Sequence, residues 1–182
     1  RSGEDRPPYV VVPSGNLGNV TAGLLAAAAG LPVTGFLAAH NANRFLPDVL
    51  AGARPPDAFP ATVRTLSNAM DVGAPSNFER LRTLYGDRLG EILDAVSIDD
   101  DATLRRMRTT HQDEGVTVCP HTAVGLEGLA RLRAARPEVR SVPALVLATA
   151  HPAKFPAALK RATGAPPPPA AALEALRHAE TR

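Results

Sequence analysis

The segment best suited to hold an anion is the run Pro13-Ser14-Gly15-Asn16-Leu17-Gly18-Asn19. Its glycines let the backbone turn several amide hydrogens toward one point. A helix starting just after them adds its positive end there, a combination that suits a phosphate monoester. Taken alone, the run serves equally well as a tight strand-to-helix connection. It is neither GxGxxG nor GxxxxGK(S/T), which argues against dinucleotides and nucleoside triphosphates. A second segment, Thr149 to Phe155, offers the Thr149 hydroxyl as a donor to a ring nitrogen, while His151 and Lys154 read as parts of a turn with Pro152 at a helix start. A third, Leu66 to Val72 with Pro75 to Arg80, collects small polar side chains around one arginine. Ser67, Asn77 and Arg80 are its candidates for substrate contact. Arg80 can grip a phosphate through paired hydrogen bonds or sit solvated on a helix face.

These residues need elements to hold them. Tyr9 to Val12 is a short apolar run that reads as a buried strand, Val20 to Ala29 is a helix closed by Gly30 and Pro32, and Leu31 to Ala39 returns to strand character. Strand, glycine turn, helix and strand make a βαβ unit, whose parallel strands need a crossover. Helices are predicted over Arg44 to Ala51, Asn77 to Tyr85, Arg88 to Ala95, the stretch from Asp99 to about Glu114, and Thr122 to Ala135. The acidic run Asp99-Asp100-Asp101 suits a helix N-terminus, and Gly115 ends that helix. Val142 to Ala148 reads as the clearest central strand, followed by a helix near Pro152 to Ala162, a stiff Pro166 to Pro169 spacer and a last helix of about twelve residues from Ala170. The fold class is α/β: an open, mainly parallel sheet with helices on both faces. Ligands in such sheets sit at the carboxyl ends of strands, which places Thr149 and the glycine turn on one edge.

With 182 residues, 45% hydrophobic and 21% charged, the chain can build one real core, which excludes disorder. A net charge of +2 from scattered basic residues, with 4% aromatic content, excludes a nucleic-acid footprint. No apolar run approaches the roughly 20 residues of a membrane span. Cys119 stands alone, without a metal-ligand partner, as a small packed residue, and the expected setting is reducing and cytoplasmic. His121 sits at a helix start, in a capping or packing role on chemistry alone. The opening Arg1 to Pro8 lacks the apolar core of a signal peptide, and the expectation is a processed start or a piece of a longer chain.

Four motifs in order, PSGNLGN, TLSNAMDV with PSNFER, PHTAVG and TAHPAKF, span nearly the whole chain and resemble those of the threonine synthases. The resemblance implies a pyridoxal 5'-phosphate enzyme of the tryptophan-synthase-β-like fold (fold type II). It implies conversion of O-phospho-L-homoserine and water to L-threonine and phosphate. It assigns the cofactor phosphate to Gly15, Asn16, Leu17, Gly18 and Asn19, and the pyridine nitrogen to Thr149. Two departures stand out: His40-Asn41-Ala42-Asn43-Arg44 replaces a common Thr-Asn-x-Asn-Asp, and Leu17 stands where phenylalanine is frequent. For Leu17 only the backbone amide is expected to matter.

The family's Schiff-base lysine lies in an N-terminal half, between a phenylalanine and an aspartate. The lysines here are Lys154 and Lys160, and Lys154 belongs to TAHPAKF. The resemblance therefore implies that residues 1–182 are the C-terminal, cofactor-binding portion, inactive alone and partnered by the N-terminal half, with an apolar edge exposed where that half packs. The alternative is a non-catalytic module of the same fold that binds a phosphate ligand or pyridoxal phosphate. A nucleotide-binding domain ranks last, because Phe36 to Ala39 stand where its acidic residue is expected.

Overall fold

The run YVVVP is apolar throughout, and a strand of that kind needs cover on both faces. In the computed structural model, which describes residues 6–167 and 169–177, it forms β1 (Tyr9–Pro13). It pairs in parallel with β2 (Gly35–His40) on one side and β4 (Ala144–Val146) on the other, and β3 (Leu93–Ser97) extends the sheet beyond β2. The order is β3-β2-β1-β4. Every residue of β2 is buried. Its alternate side chains go to opposite layers: Phe36 and Ala38 pack with α1 (Gly18–Ala28), α2 (Phe45–Leu50) and α3 (Phe78–Tyr85). Leu37 and Ala39 pack on the other face, against helix residues such as Leu129 and Val124. The mainly parallel sheet with helices on both faces is the architecture expected.

The second layer is built by α5 (Asp100–Glu114), α6 (Pro120–Ala135) and α7 (Pro156–Thr163). Asp99 caps α5 by accepting from the Ala102 amide at 2.7 Å, with Asp100 and Asp101 in the first turn, and Gly115 ends the helix at φ 69°. Helix α6 starts at Pro120, two residues before the predicted start, and its cap is Cys119, whose sulfur accepts from the Thr122 amide. Cys119 is thus packed as expected, while capping falls to it and not to His121. Gly128 lets α6 lie close on the sheet: a Cβ there would stand 3.0 Å from the Ala39 Cβ.

Three predicted elements differ. Of the predicted helix Arg88 to Ala95, only α4 (Leu89–Ile92) is helical, and the chain then becomes β3. A single helical turn and a half-buried strand share the same density of Leu, Ile and Ala, and only pairing with β2 separates them. The predicted central strand, Val142 to Ala148, is shorter and lies at the sheet edge as β4, with Leu145 54% exposed. The segment Pro152 to Ala162 is divided by Phe155 and Pro156 into a short 3-10 turn (Pro152–Lys154) and α7. The last helix is described as α8 (Ala171–Arg177), starting one residue after the predicted Ala170; the part of the predicted twelve residues beyond Arg177, Pro168 of the spacer, and Arg1 to Asp5 lie outside the described residues. No helix among the described residues is long and apolar enough to cross a membrane, and no group of His, Cys, Asp and Glu there could hold a metal ion.

Candidate functional site

Leu17 is the one described non-glycine residue at positive φ, 63°, and it forms the N-cap of α1. A left-handed leucine costs roughly 1–2 kcal/mol. Its side chain, 1% exposed, packs with Val12, Val20 and Leu24, and burial of a leucine offsets that cost by roughly 1.5–3 kcal/mol. Leu17 thus anchors the turn through its side chain, beyond the amide role expected of it. The turn it fixes leaves the backbone amides from Gly15 to Val20 without an acceptor among the described residues, the first protein bond of α1 being Thr21 N–H to Leu17 O at 2.9 Å. Unpaired amides at the positive end of an eleven-residue helix form an anion cradle.

Side chains from far along the chain brace this cradle. Asn16 Oδ1 accepts from the Ser76 amide at 2.6 Å and from the Ser76 hydroxyl at 3.1 Å, while Asn77 Nδ2 donates to the Asn16 carbonyl at 2.8 Å. Gly15 meets Met70 so closely that a Cβ would stand 2.7 Å from the Met70 Cα. The cradle opens into a cavity of about 470 Å³ whose walls include Pro13 to Asn19, Met70, Thr149, Lys154 and Phe155. Thr149 has an exposed hydroxyl without a protein partner among the described residues, three positions past the end of β4. His121 and Ala69, not among the predicted site residues, also line the cavity, and the imidazole Nε2 accepts from the Ala69 amide at 3.3 Å. Their signals in the sequence were the PHTAVG motif for His121 and the TLSNAMDV motif for Ala69. A larger cavity, about 800 Å³, lies between α2 and α3 and shares no residue with the glycine turn.

The structure therefore brings Gly15, Asn16, Leu17, Gly18, Asn19 and Thr149 to one cavity, and leaves Ser67, Asn77 and Arg80 outside its walls. Arg80 is exposed and donates to Asn77 Oδ1 at 3.2 Å. Ser67 is buried, its hydroxyl oxygen accepting from Asn41 Nδ2 at 3.1 Å. It belongs to a polar knot centred on Asp71, whose carboxylate accepts from Asn41 Nδ2 (2.8 Å), Thr65 Oγ1 (2.7 Å), the Thr65 amide (3.0 Å) and Asn43 Nδ2 (3.3 Å). Asp100 adds a fixed point by accepting from the Leu66 amide at 3.1 Å. Together these groups set the segment that carries Ala69 and Met70 into the cavity wall.

Of the departing segment near β2, His40 and Arg44 both lie outside that wall. Arg44 pairs with Asp48 at 2.7 Å on the surface. His40 ends β2, 2% exposed, with no partner on Nε2 among the described residues, and burial pushes its pKa from 6.5 down to about 4. The folded chain holds this ring neutral while the unfolded chain protonates it below pH 6.5, so its contribution is intact above pH 6.5 and is lost as pH falls toward 4. Urea unfolding should show about 3 kcal/mol lost over that window, and a flatter pH profile in His40→Leu. An unchanged profile in that variant would assign the pH dependence elsewhere.

Residues 2–148 match the family model "Pyridoxal-phosphate dependent enzyme", and residues 122–182 match "Threonine synthase, C-terminal". Among curated relatives, the threonine synthase of Escherichia coli K12 is 43% identical over 157 residues, covering 84% of this chain and 34% of that protein. That of Serratia marcescens is 40% identical over 172 residues, covering 91% and 38%. The chain thus spans a little over a third of the length of these relatives. Among solved structures, Escherichia coli threonine synthase superposes with a TM-score of 0.82 at 37% identity, over 93% of this chain and 38% of that one. A pyridoxal-phosphate-bound threonine synthase from Brucella melitensis gives 0.79 at 30%, over 93% and 41%. Maize serine racemase, 18% identical with a TM-score of 0.55 over 77% of this chain and 41% of that one, shares the fold.

Proposed function

The chain belongs to the pyridoxal-phosphate-dependent enzyme family, and we propose that it forms the phosphate-holding and ring-holding side of a threonine synthase, which converts O-phospho-L-homoserine and water to L-threonine and phosphate. The observation that carries this reading is the row of unpaired amides from Gly15 to Val20 beside a cavity that also holds the Thr149 hydroxyl. The residues fit the cofactor: amides at a helix N-terminus suit its phosphate, and Gly15 keeps the cradle free of a side chain. When bound, pyridoxal 5'-phosphate supplies an electron sink for carbanions formed on the substrate.

In this reading Gly15, Asn16, Leu17, Gly18 and Asn19 present the phosphate donors. Thr149 would donate to the pyridine nitrogen, and a neutral hydroxyl there does not force the ring into its protonated form, a gentler tuning than a carboxylate would give. Asn77 acts as a positioning residue through Asn16, and Ser67 through Asn41, while Arg80 steadies Asn77. The lysine that carries the cofactor and the rest of the substrate pocket come from a lysine-bearing N-terminal half of the enzyme. That half would cover the exposed apolar edge at Leu145. The lone free Cys119 fits a reducing, cytoplasmic setting.

The test is borohydride reduction of the native protein with pyridoxal 5'-phosphate, followed by peptide mapping and an assay of phosphate release from O-phospho-L-homoserine. The label should fall on a lysine outside residues 1–182, in a polypeptide whose presence is required for phosphate release. Label on Lys154 or Lys160 would overturn that division of labour. Tight cofactor binding, with no polypeptide that restores turnover, would make the chain a binding module without catalysis.

A further inference from the structure

We propose that His121 supplies the ligand of the glycine-turn cavity with a side-chain donor, its Nδ1–H. The ring is the second residue of α6, 2% exposed, and lines the same cavity as Gly15 and Thr149. Its Nε2 lies 3.3 Å from the Ala69 amide. A backbone amide only donates, so Nε2 must carry a lone pair, and a neutral imidazole arranged that way has its proton on Nδ1. Burial lowers the pKa of this ring and keeps it neutral.

That Nδ1–H is buried and meets no acceptor among the described residues. The Phe155 ring lies against the imidazole, with centroids 4.9 Å apart and planes tilted by 56°, and offers no acceptor atom, while the Phe155 carbonyl accepts from the Leu159 amide at 3.0 Å. The Met70 side chain, in the same wall, offers only a thioether, a weak acceptor, and the Met70 carbonyl already accepts from the Val72 amide at 2.9 Å. A buried donor left unpaired costs free energy, and native interiors rarely keep one without use. The acceptor is therefore brought by the ligand, an oxygen of a phosphorylated pyridine. The Ala69 amide locks the tautomer that donates, which couples the 65–71 segment to ligand binding. This inference rests on reading the cavity as a pyridoxal phosphate site.

The experiment is nitrogen-15 NMR of the full chain, labelled at histidine and on the backbone, titrated with pyridoxal 5'-phosphate. Before ligand, His121 should show protonated Nδ1 and unprotonated Nε2. At saturation the Nδ1–H resonance should move downfield, and its exchange with water should slow by about tenfold or more. His121→Leu should bind the cofactor about tenfold more weakly. A proton on Nε2, or an Nδ1–H that stays still while the Gly18 and Asn19 amides shift, overturns the proposal. Amides of Gly18 and Asn19 that also stay still would instead overturn the phosphate cradle, and the role of His121 with it.

Discussion

Gly15→Asp is expected to abolish retention of pyridoxal 5'-phosphate. A Cβ at this position would lie 2.7 Å from the Met70 Cα and 3.0 Å from its carbonyl carbon and oxygen, all backbone atoms that cannot rotate aside. Either the glycine turn or the 68–70 turn must move, and both are walls of the cavity. The aspartate adds a negative charge beside amides that are proposed to receive a phosphate, so repulsion compounds the steric loss. The cofactor dissociation constant should rise by at least about 100-fold, equivalent to roughly 2.7 kcal/mol. Gly15→Ala separates the two effects: it keeps the clash without the charge, costs about 1–3 kcal/mol of stability by overpacking, and should weaken binding less than aspartate does. Cofactor fluorescence titration and urea unfolding of both variants measure this. Normal cofactor occupancy in Gly15→Asp would remove the glycine turn from the site.

That glycine was legible because the turn is local. Strand, turn and helix signals lie within about twenty consecutive residues, and the physics that makes the anion cradle, amides at a helix N-terminus, needs nothing from the rest of the chain. The acidic start of α5 and the Gly115 stop were legible for the same reason. What sequence reasoning missed depends on residues distant in the chain. Ser76 braces Asn16 from sixty positions away, and no spacing rule connects them. Leu17 was read for its amide, yet its buried side chain is what makes a left-handed leucine tolerable. The first three residues of β3, Leu93 to Ala95, fall in the predicted helix because they follow a helical turn directly, and their strand identity comes from the register with β2. The apolar character of β4 suggested a central position, but apolarity reports what a strand can bury, and among the described residues β4 pairs with β1 alone. His121 reads as a capping or packing residue in the sequence, and its place in the cavity wall stays hidden there because its tertiary partner, the Ala69 amide, is fifty-two positions away.

The same separation between local and distant signals makes Asp71 the second residue to test. Apart from its place in the TLSNAMDV motif, nothing near it in sequence marks it as more than a loop carboxylate, yet it takes four hydrogen bonds from Asn41, Asn43 and Thr65. Asn41 and Asn43 are 1% and 3% exposed, so water cannot replace the lost acceptor cheaply. Hydrogen bonds to a charged acceptor contribute roughly 1.5–3 kcal/mol, and each stranded buried donor costs roughly 1–3 kcal/mol. Some of the donors keep other partners, since Asn41 Nδ2 also reaches Ser67 and Asn43 Nδ2 reaches the Val63 carbonyl. Asp71→Ala should therefore destabilise the chain by about 4 kcal/mol, less than the sum of its separate bonds. Asp71→Asn should lose about half as much, because the amide oxygen still accepts while its NH₂ confronts the donors on the other side. Urea unfolding measures both. Because Asp71 sets the segment that carries Ala69 and Met70, the cofactor titration of Asp71→Asn should also weaken, even though Asp71 is not in the cavity wall. An alanine variant as stable as the parent would show that the knot follows the fold of the 65–71 segment and does not enforce it.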